Sequence, residues 1–308
     1  MCQIQGRSAP AFGLLLAACL VTTAASAQTA GEGLSPTLAN IKKTHVVHLG
    51  YREASPPFSF LDQANRPIGY SLELCEAIVD EIGIEVDDAN LKIEYVKVTS
   101  DDRIPAVLQN KIDLECGSTT ANAERAKQVA FSPLMFVAGT KLMVPKASNI
   151  SAPTDLKGKT VVVTKGTTNE QAMHNVDKKF ALGLNIVTSP DHEQSYQMLV
   201  DGKADAFATD DILLYGLIAR HKAQDKFKVT GDYLSYDPYG IMFRKGEPQF
   251  SAVVERTFHK LGSNRDLIPL YNKWFVARLP TGEKLNVAIS PQLEEAFNVL
   301  NDTEGTSN

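Results

Sequence analysis

The sequence predicts an α/β protein of two lobes, each a mostly parallel sheet flanked by helices, joined by two hinge crossings. Three observations carry that expectation. Short apolar runs of strand character alternate with stretches of helical spacing, the pattern of βα units. The alternation comes in two sets, one ending near residue 136 and the next starting near 140. Strand-like connections lie near 136–144 and 235–243, so the chain leaves lobe 1 near Phe136, builds lobe 2 and returns near Tyr236. The boundaries that follow are 28–138 and 239–308 for lobe 1, with a C-terminal helical tail, and 139–238 for lobe 2.

The elements follow in order. A polar leader covers 28–44, and HVVHLGY (45–51) is a short strand ending in the loop REASPP. GYSLELCEAIVDEIG (69–83) has helical spacing and a glycine stop; LKIEYVKV (91–98) alternates apolar with polar residues as a strand does. Ser100 precedes a helix from about 102 to 110, KIDLECG (111–117) is strand-like, and STTANAERAKQV opens a further helix on Ser, Thr and Asn. After VAFSPLMFVAG and the apolar strand TKLMVP (140–145), the second set begins. Its strands are TVVVT (160–164), LNIVTS (184–189) and ADAFATD (204–210). Its helices are NEQAMHNV, EQSYQMLVDG and DILLYGLIARH, with KGTT and PDH as the intervening loops. Residues 226–246 supply strand material, PQFSAVVERTFHKLG and DLIPLYNKWF two closing helices, and the tail 279–308 one helical stretch, PQLEEAFNVL.

Composition narrows the function. The 308 residues carry 31 Lys+Arg against 36 Asp+Glu, with 44% hydrophobic and 22% charged residues, which excludes a wholly disordered chain. The net charge of −5 argues against a protein that coats nucleic acid. Residues 1–27 hold no acid and one base, Arg7, followed by AFGLLLAACLV and TTAASA. A cationic start, a short apolar core and small residues at 25 and 27 have the build of a secretory signal peptide. The apolar run is too short for a spanning helix of ~20 residues. Lipidation at Cys19 is the competing reading, but the run continues past Cys19 and AASAQ is the better cleavage site, which favours a mature chain starting at Gln28. Export leaves Cys75 and Cys116 in an oxidising compartment. Their Cα separation is not legible in sequence, and both sit in apolar patterns, so two buried, inert thiols are expected.

Ligands of open α/β sheets bind beyond the carboxyl ends of the strands, where backbone amides and helix N-termini converge. Directly after the proposed strands stand Arg52; Ser100 and Arg103; Ser118, Thr119 and Thr120, with Arg125 further on; Thr167 and Thr168; Asp191 and His192; Asp210 and Asp211. Three guanidiniums, several hydroxyls, one imidazole and a carboxylate pair suit a ligand with anionic groups and one cation. No Cys/His metal spacing and no nucleophile–base pair stands out, so no metal, cofactor or catalytic residue is assigned. Singly, each residue has a plainer reading. Ser100, Ser118 and Thr168 fit N-caps, Arg103 a helix cover, Arg125 a solvated helix residue, His192 a surface turn and Asp210 a cap. Their co-location at six strand ends favours a site.

The runs YREASPPFSF with GYSLELCEAI, TSDDRIPAVLQNKIDLECGSTTANAERAKQVAFS, LKGKTVVVTKGTTNEQ, DH, ATDD and YGIMFRK resemble the periplasmic amino-acid-binding proteins of ABC transporters, the glutamate/aspartate binders most of all. The likeness covers about 40–300. It implies a two-lobed "Venus flytrap" with the ligand in the cleft. In the GSTT-x4-R pattern, Arg125 would clamp the α-carboxylate with Thr120 and Thr168. Asp210 and the Ser118 carbonyl would take the α-ammonium, and Arg52, Ser100, Arg103 and His192 the side-chain carboxylate. Three Arg against Asp210 leave the site at +2, facing glutamate or aspartate at −1. The departures from the family pattern, Cys75 and Asp237-Pro238, lie outside the expected pocket. The implied partners are L-glutamate or L-aspartate and an inner-membrane ABC permease that docks transiently, with the chain a monomer in the periplasm. Two rivals share the fold: a periplasmic dehydratase of prephenate or arogenate type, and the sensing domain of a receptor.

Overall fold

The computed structural model describes residues 33–301; the expected signal peptide 1–27, with Cys2 and Cys19, lies outside the described residues. Helix α1 (Pro36–Thr44) leads into β1 (Val46–Tyr51), followed by the short strands β2 (Ala54–Ser55), β3 (Ser59–Leu61) and β4 (Pro67–Ile68). Then come α2 (Tyr70–Val86), β5 (Lys92–Lys97), α3 (Arg103–Leu108), β6 (Leu114–Glu115), β7 (Val129–Phe131) and β8 (Phe136–Ala138). The second set holds β9 (Thr140–Pro145), β10 (Thr160–Thr164), α4 (Thr168–Phe180), β11 (Asn185–Ser189), α5 (His192–Val200), β12 (Ala206–Asp210), α6 (Asp211–Arg220) and β13 (Phe227–Thr230). The chain returns through β14 (Asp237–Tyr239) and β15 (Met242–Arg244) to α7 (Pro248–Ser263), α8 (Leu267–Tyr271), a π-helical stretch Asn272–Val276 and α9 (Pro291–Asn301).

Two five-stranded sheets organise the two lobes, in the orders β5-β1-β6-β15-β7 and β11-β10-β12-β9-β13. In the first, β1 is parallel to β5 and β6, while β15 is antiparallel to β6 and β7. In the second, β10 is parallel to β11 and β12, and β9 is antiparallel to β12 and β13. Each sheet is thus mostly parallel with one reversed strand, and each reversed strand directly follows a crossing strand. The crossings pair with each other: β8 and β14 form an antiparallel ladder, with Tyr239 opposite Phe136 and Asp237 opposite Ala138.

Packing explains the apolar runs. In TVVVT, Val161 and Val163 join one buried cluster and Val162 another, so helices cover both faces of the second sheet. In lobe 1, Phe136 and Tyr239 from the crossing strands join one aromatic cluster with Phe58, Tyr70 and Phe275, its ring pairs mostly edge to face at centroid distances of 4.8–6.2 Å. The crossings are therefore rooted in the lobe 1 core, and Phe136→Ala costs about 3–5 kcal/mol by cavity formation.

Four expectations are corrected. The supposed polar leader holds helix α1, whose first turn is fastened by a distant group rather than a local cap. The backbone amide and hydroxyl of Thr37 each donate to the Glu247 carboxylate at 2.8 Å, and Leu38 and Ile41 enter the core. The loop REASPP starts a three-stranded sheet, β2-β3-β4. The segment STTANAERAKQV is not a helix beyond a 3-10 turn at Arg125–Lys127. Its backbone goes to the crossing strand instead, with Ala121 N–H donating to the Pro238 carbonyl at 2.7 Å and Thr120 bridging Tyr239. Finally, Cys75 and Cys116 are not free thiols: they form a disulfide with Cα atoms 6.2 Å apart, tying the buried face of α2 to the end of β6. Among the described residues no helix is long and apolar enough to cross a membrane.

Candidate functional site

The three parallel strands of each sheet end at one cleft. Arg52 follows β1, Ser100 follows β5, Arg103 opens α3 and Ser118 follows β6. From the second sheet, Thr168 opens α4 after β10, His192 opens α5 after β11, and Asp210 ends β12. Local chemistry sets these starts. Thr167, not Thr168, caps α4 by accepting from Glu170 N–H, and Asp191 caps α5 by accepting from Gln194 N–H. That leaves the Thr168 and His192 side chains for the cleft. Ser100, Ser118 and Asp210 make no cap hydrogen bond either.

Eight of the nine expected residues are buried, Thr168 being half-buried. The Arg52 guanidinium donates to the Ser100 hydroxyl at 2.6 Å. Arg125 reaches the Thr120 carbonyl at 2.9 Å and, across the cleft, the Gly166 carbonyl at 3.3 Å. The hydroxyls of Thr120 and Thr168 meet between the lobes at 3.2 Å. His192 Nδ1 lies 3.1 Å from the Ser55 hydroxyl of lobe 1. Its buried position overturns the surface-turn reading. The remaining atoms point the same way: Arg52 Nη1, Arg103 Nε, Ser118 Oγ and His192 Nε2 are buried without a hydrogen-bond partner. Buried polar groups are seldom left so, and four in one cleft mark a surface made to hold a polar ligand.

Burial lowers the proton affinity of all three guanidiniums, Arg52 to about 10 and Arg125 to about 9, with Arg103 adding repulsion on both. Burial, then Arg52 and Arg103, holds the His192 imidazole well below its ordinary range, so it is a neutral donor or acceptor. Asp210 moves the other way, to about 7, from burial and the nearby Asp237 carboxylate. Asn169 Nδ2 donates to it at 2.7 Å and the Tyr239 hydroxyl also donates, both opposing the rise. An ammonium would oppose it further.

Three residues escaped the sequence reading. Asn169 fixes Asp210 and is itself held by the Thr140 and Thr209 hydroxyls, at 2.7 and 3.2 Å. Asp237 was expected outside the pocket but faces it, accepting from Thr168 at 2.8 Å and Thr120 at 3.1 Å. Glu115, the last residue of β6, is buried beside the guanidiniums. Polar neighbours at a strand end gave a signal for Asn169; an apolar flank hid Glu115. Asp237 and Glu115 add two acidic residues to a site counted as +2 from three Arg and Asp210 alone. The guanidiniums of Arg52, Arg103 and Arg125 come from lobe 1 and the Asp210 carboxylate from lobe 2. Among the described residues no group of three or more His, Cys, Asp or Glu is placed to hold a metal ion.

The lobes also meet on bare backbone. A Cβ on Gly216 of α6 would lie 2.3 Å from the Pro56 carbonyl oxygen, and one on Gly166 would lie 2.7 Å from Asp101 Cα. Gly166 has φ +76°, so it needs glycine on both counts. A cleft between two α/β lobes, lined by guanidiniums on one wall and a carboxylate on the other, defines a two-lobed solute-binding protein. The chain belongs to the bacterial extracellular solute-binding proteins, family 3, whose model matches residues 47–277. It is 42% identical to the L-glutamate/L-aspartate-binding protein of Pseudomonas aeruginosa over 91% of this chain and 94% of that one. It is 35% identical to the glutamate/aspartate import solute-binding protein of Escherichia coli, over 94% and 96% of the two chains. A solved cysteine-binding protein from Campylobacter jejuni shares the fold with a TM-score of 0.69 at 27% identity, covering 78% of this chain and 93% of that one. The chain is a binding protein of the ABC-transporter type with an amino-acid ligand, not an enzyme.

Proposed function

We propose that this protein captures L-glutamate or L-aspartate between its lobes and delivers it to an inner-membrane ABC permease. The observation that carries the reading is the lining of the cleft: Arg52, Arg103 and Arg125 buried on lobe 1, Asp210 buried on lobe 2, and Arg125 on the Thr120 carbonyl next to Thr168. In this assignment Arg125, Thr120 and Thr168 hold the α-carboxylate, a planar fork suiting it well. Asp210 and the Ser118 carbonyl take the α-ammonium. Arg52, Ser100, Arg103 and His192 hold the side-chain carboxylate, with His192 donating from Nε2 once Nδ1 accepts from Ser55. A neutral amino acid would leave guanidiniums unpaired on closure, a penalty against the wrong ligand.

The same proposal takes lobe 2 as 139–238 and lobe 1 as the residues on either side. It has the monomeric chain working in the periplasm after cleavage at Ala27. One calorimetric titration against the twenty amino acids tests the ligand, with heat expected for glutamate and aspartate. Binding of neutral or basic amino acids with equal affinity would refute it. Mass spectrometry finding a diacylglyceryl group on Cys19 would replace the soluble form with a tethered one.

A further inference from the structure

The assigned ligand contacts leave two charged groups of the cleft unused, Asp237 and Glu115. Glu115 is 0% exposed. One of its oxygens accepts the Thr119 hydroxyl at 2.6 Å; the other, Oε1, is buried without a hydrogen-bond partner. The ideal Cβ position of Gly117 is 2.3 Å from that oxygen and 3.0 Å from Cγ of Arg52, so the carboxylate packs close to the Arg52 stem. Its field favours the charged form of Arg52, Arg103 and Arg125 alike. The hydrogen-bond partners of Arg52 and Arg125 are neutral: the Ser100 hydroxyl and the carbonyls of Thr120 and Gly166. Asp237 already accepts from the Thr120, Thr168 and Ser235 hydroxyls, and Asp210 from Asn169 and Tyr239.

We infer that Glu115 is an internal counter-charge that competes with the ligand's side-chain carboxylate for the same guanidiniums, and so caps the affinity for acidic amino acids. The inference rests on the ligand reading above. Three like charges buried in one cleft repel and are poorly solvated, and in the empty protein Glu115 offsets that cost. In the loaded protein the ligand's carboxylates offset it too, and Glu115 then repels the distal one. A group that favours the empty state more than the loaded state weakens binding by the difference. Glu115 is thus a positioning residue for affinity that need not touch the ligand.

Glu115→Gln keeps the volume and an acceptor for Thr119 while removing the charge. The empty variant is expected to melt below the wild type. Calorimetry is expected to show glutamate bound at least about tenfold more tightly, the scale of one unit charge within about 12 Å at an effective dielectric near 20. Glutamine, with a neutral side chain, should change much less. Unchanged or weaker glutamate binding overturns the inference, as does an equal gain for glutamine. Should the variant unfold when empty, saturating glutamate must restore its far-ultraviolet circular dichroism where glutamine does not; failure to do so overturns it equally. A wild type that binds no glutamate refutes the ligand reading instead. In that case a lower melting point for the empty variant still supports the counter-charge, and an unchanged one overturns it.

Discussion

On the first sheet, the ends of β1, β5 and β6 bring Arg52, Ser100, Arg103 and Ser118 to the cleft; on the second, the ends of β10, β11 and β12 bring Thr168, His192 and Asp210. The two sheets have the same order of parallel strands around their reversed strand. The same scaffold therefore carries two different chemistries. Lobe 1 holds all three guanidiniums, with Arg125 on the segment that joins the crossing strand, and can attract a dicarboxylate by itself. Lobe 2 contributes one carboxylate, a neutral imidazole and a hydroxyl, and each also meets a lobe 1 group across the cleft: Tyr239, Ser55 and Thr120 respectively. In the proposed assignment, capture belongs to the first wall and closure to the second.

The sharpest way to break that division is Arg125→Ala. In the proposed assignment it contacts a group every amino acid has, and removing one partner of a buried charged set costs about 3–5 kcal/mol. All ligands should weaken together, by about a thousandfold, in a titration series. Arg103→Met should be narrower, weakening glutamate by about a hundredfold with a much smaller effect on glutamine, while Met keeps the apolar stem. Equal losses for the two ligands would make Arg103 structural.

Gly216→Ala tests the second wall without touching a polar group. Alanine favours the helix by up to about 1 kcal/mol, yet its Cβ would collide with the Pro56 carbonyl when the lobes meet. Overpacking of this kind costs about 1–3 kcal/mol. The expected result is roughly tenfold weaker glutamate binding at equal or better thermal stability. Small-angle scattering should show a smaller radius with glutamate for the wild type and a reduced contraction for the variant. An identical contraction in both would show that Gly216 does not limit closure.

The smallest expected effect is on pH. Because burial and Asp237 lift Asp210 to about 7, the folded empty protein holds a proton there that the unfolded chain has lost. Its stability contribution is present at low pH and lost as pH rises towards 7. An ammonium ligand needs the ionised form, so glutamate affinity should fall several-fold from pH 8 to pH 6, with proton release on binding at pH 6–7. Titrations in buffers of different ionisation enthalpy read this directly. In Asp210→Asn binding is weaker, and its residual pH dependence should be flat.

The second lobe was the more legible half. TVVVT and the helix after ATDD announce themselves because helices bury both faces of that sheet and each apolar run is continuous. That the nine expected residues come together at one cleft was legible from their places after strands. What stayed hidden depends on partners far away in sequence. Thr37 needs Glu247 to start α1, residues 120–121 pair with 238–239 instead of coiling, and Asp237 enters the pocket through Thr120 and Thr168. The disulfide belongs with these, since no pattern within either apolar segment reports the distance between them.

The Cys75–Cys116 bond spans 41 positions and makes that stretch a covalent ring, a constraint on the unfolded chain of about 4 kcal/mol in the chain-entropy picture. Ser100, Arg103 and Glu115 lie within the ring; Arg52, Ser118, Thr120, Arg125, Thr168, His192 and Asp210 lie outside it. Two of the four residues proposed to read the side chain, Ser100 and Arg103, therefore sit on a closed loop of chain, and none of those proposed to read the common amino-acid groups does. Reductant should erode the ratio of glutamate to glutamine affinity before it erodes affinity as such. A molecule that had never met an oxidant would still grip an amino acid, but would tell an acidic one from its amide less well.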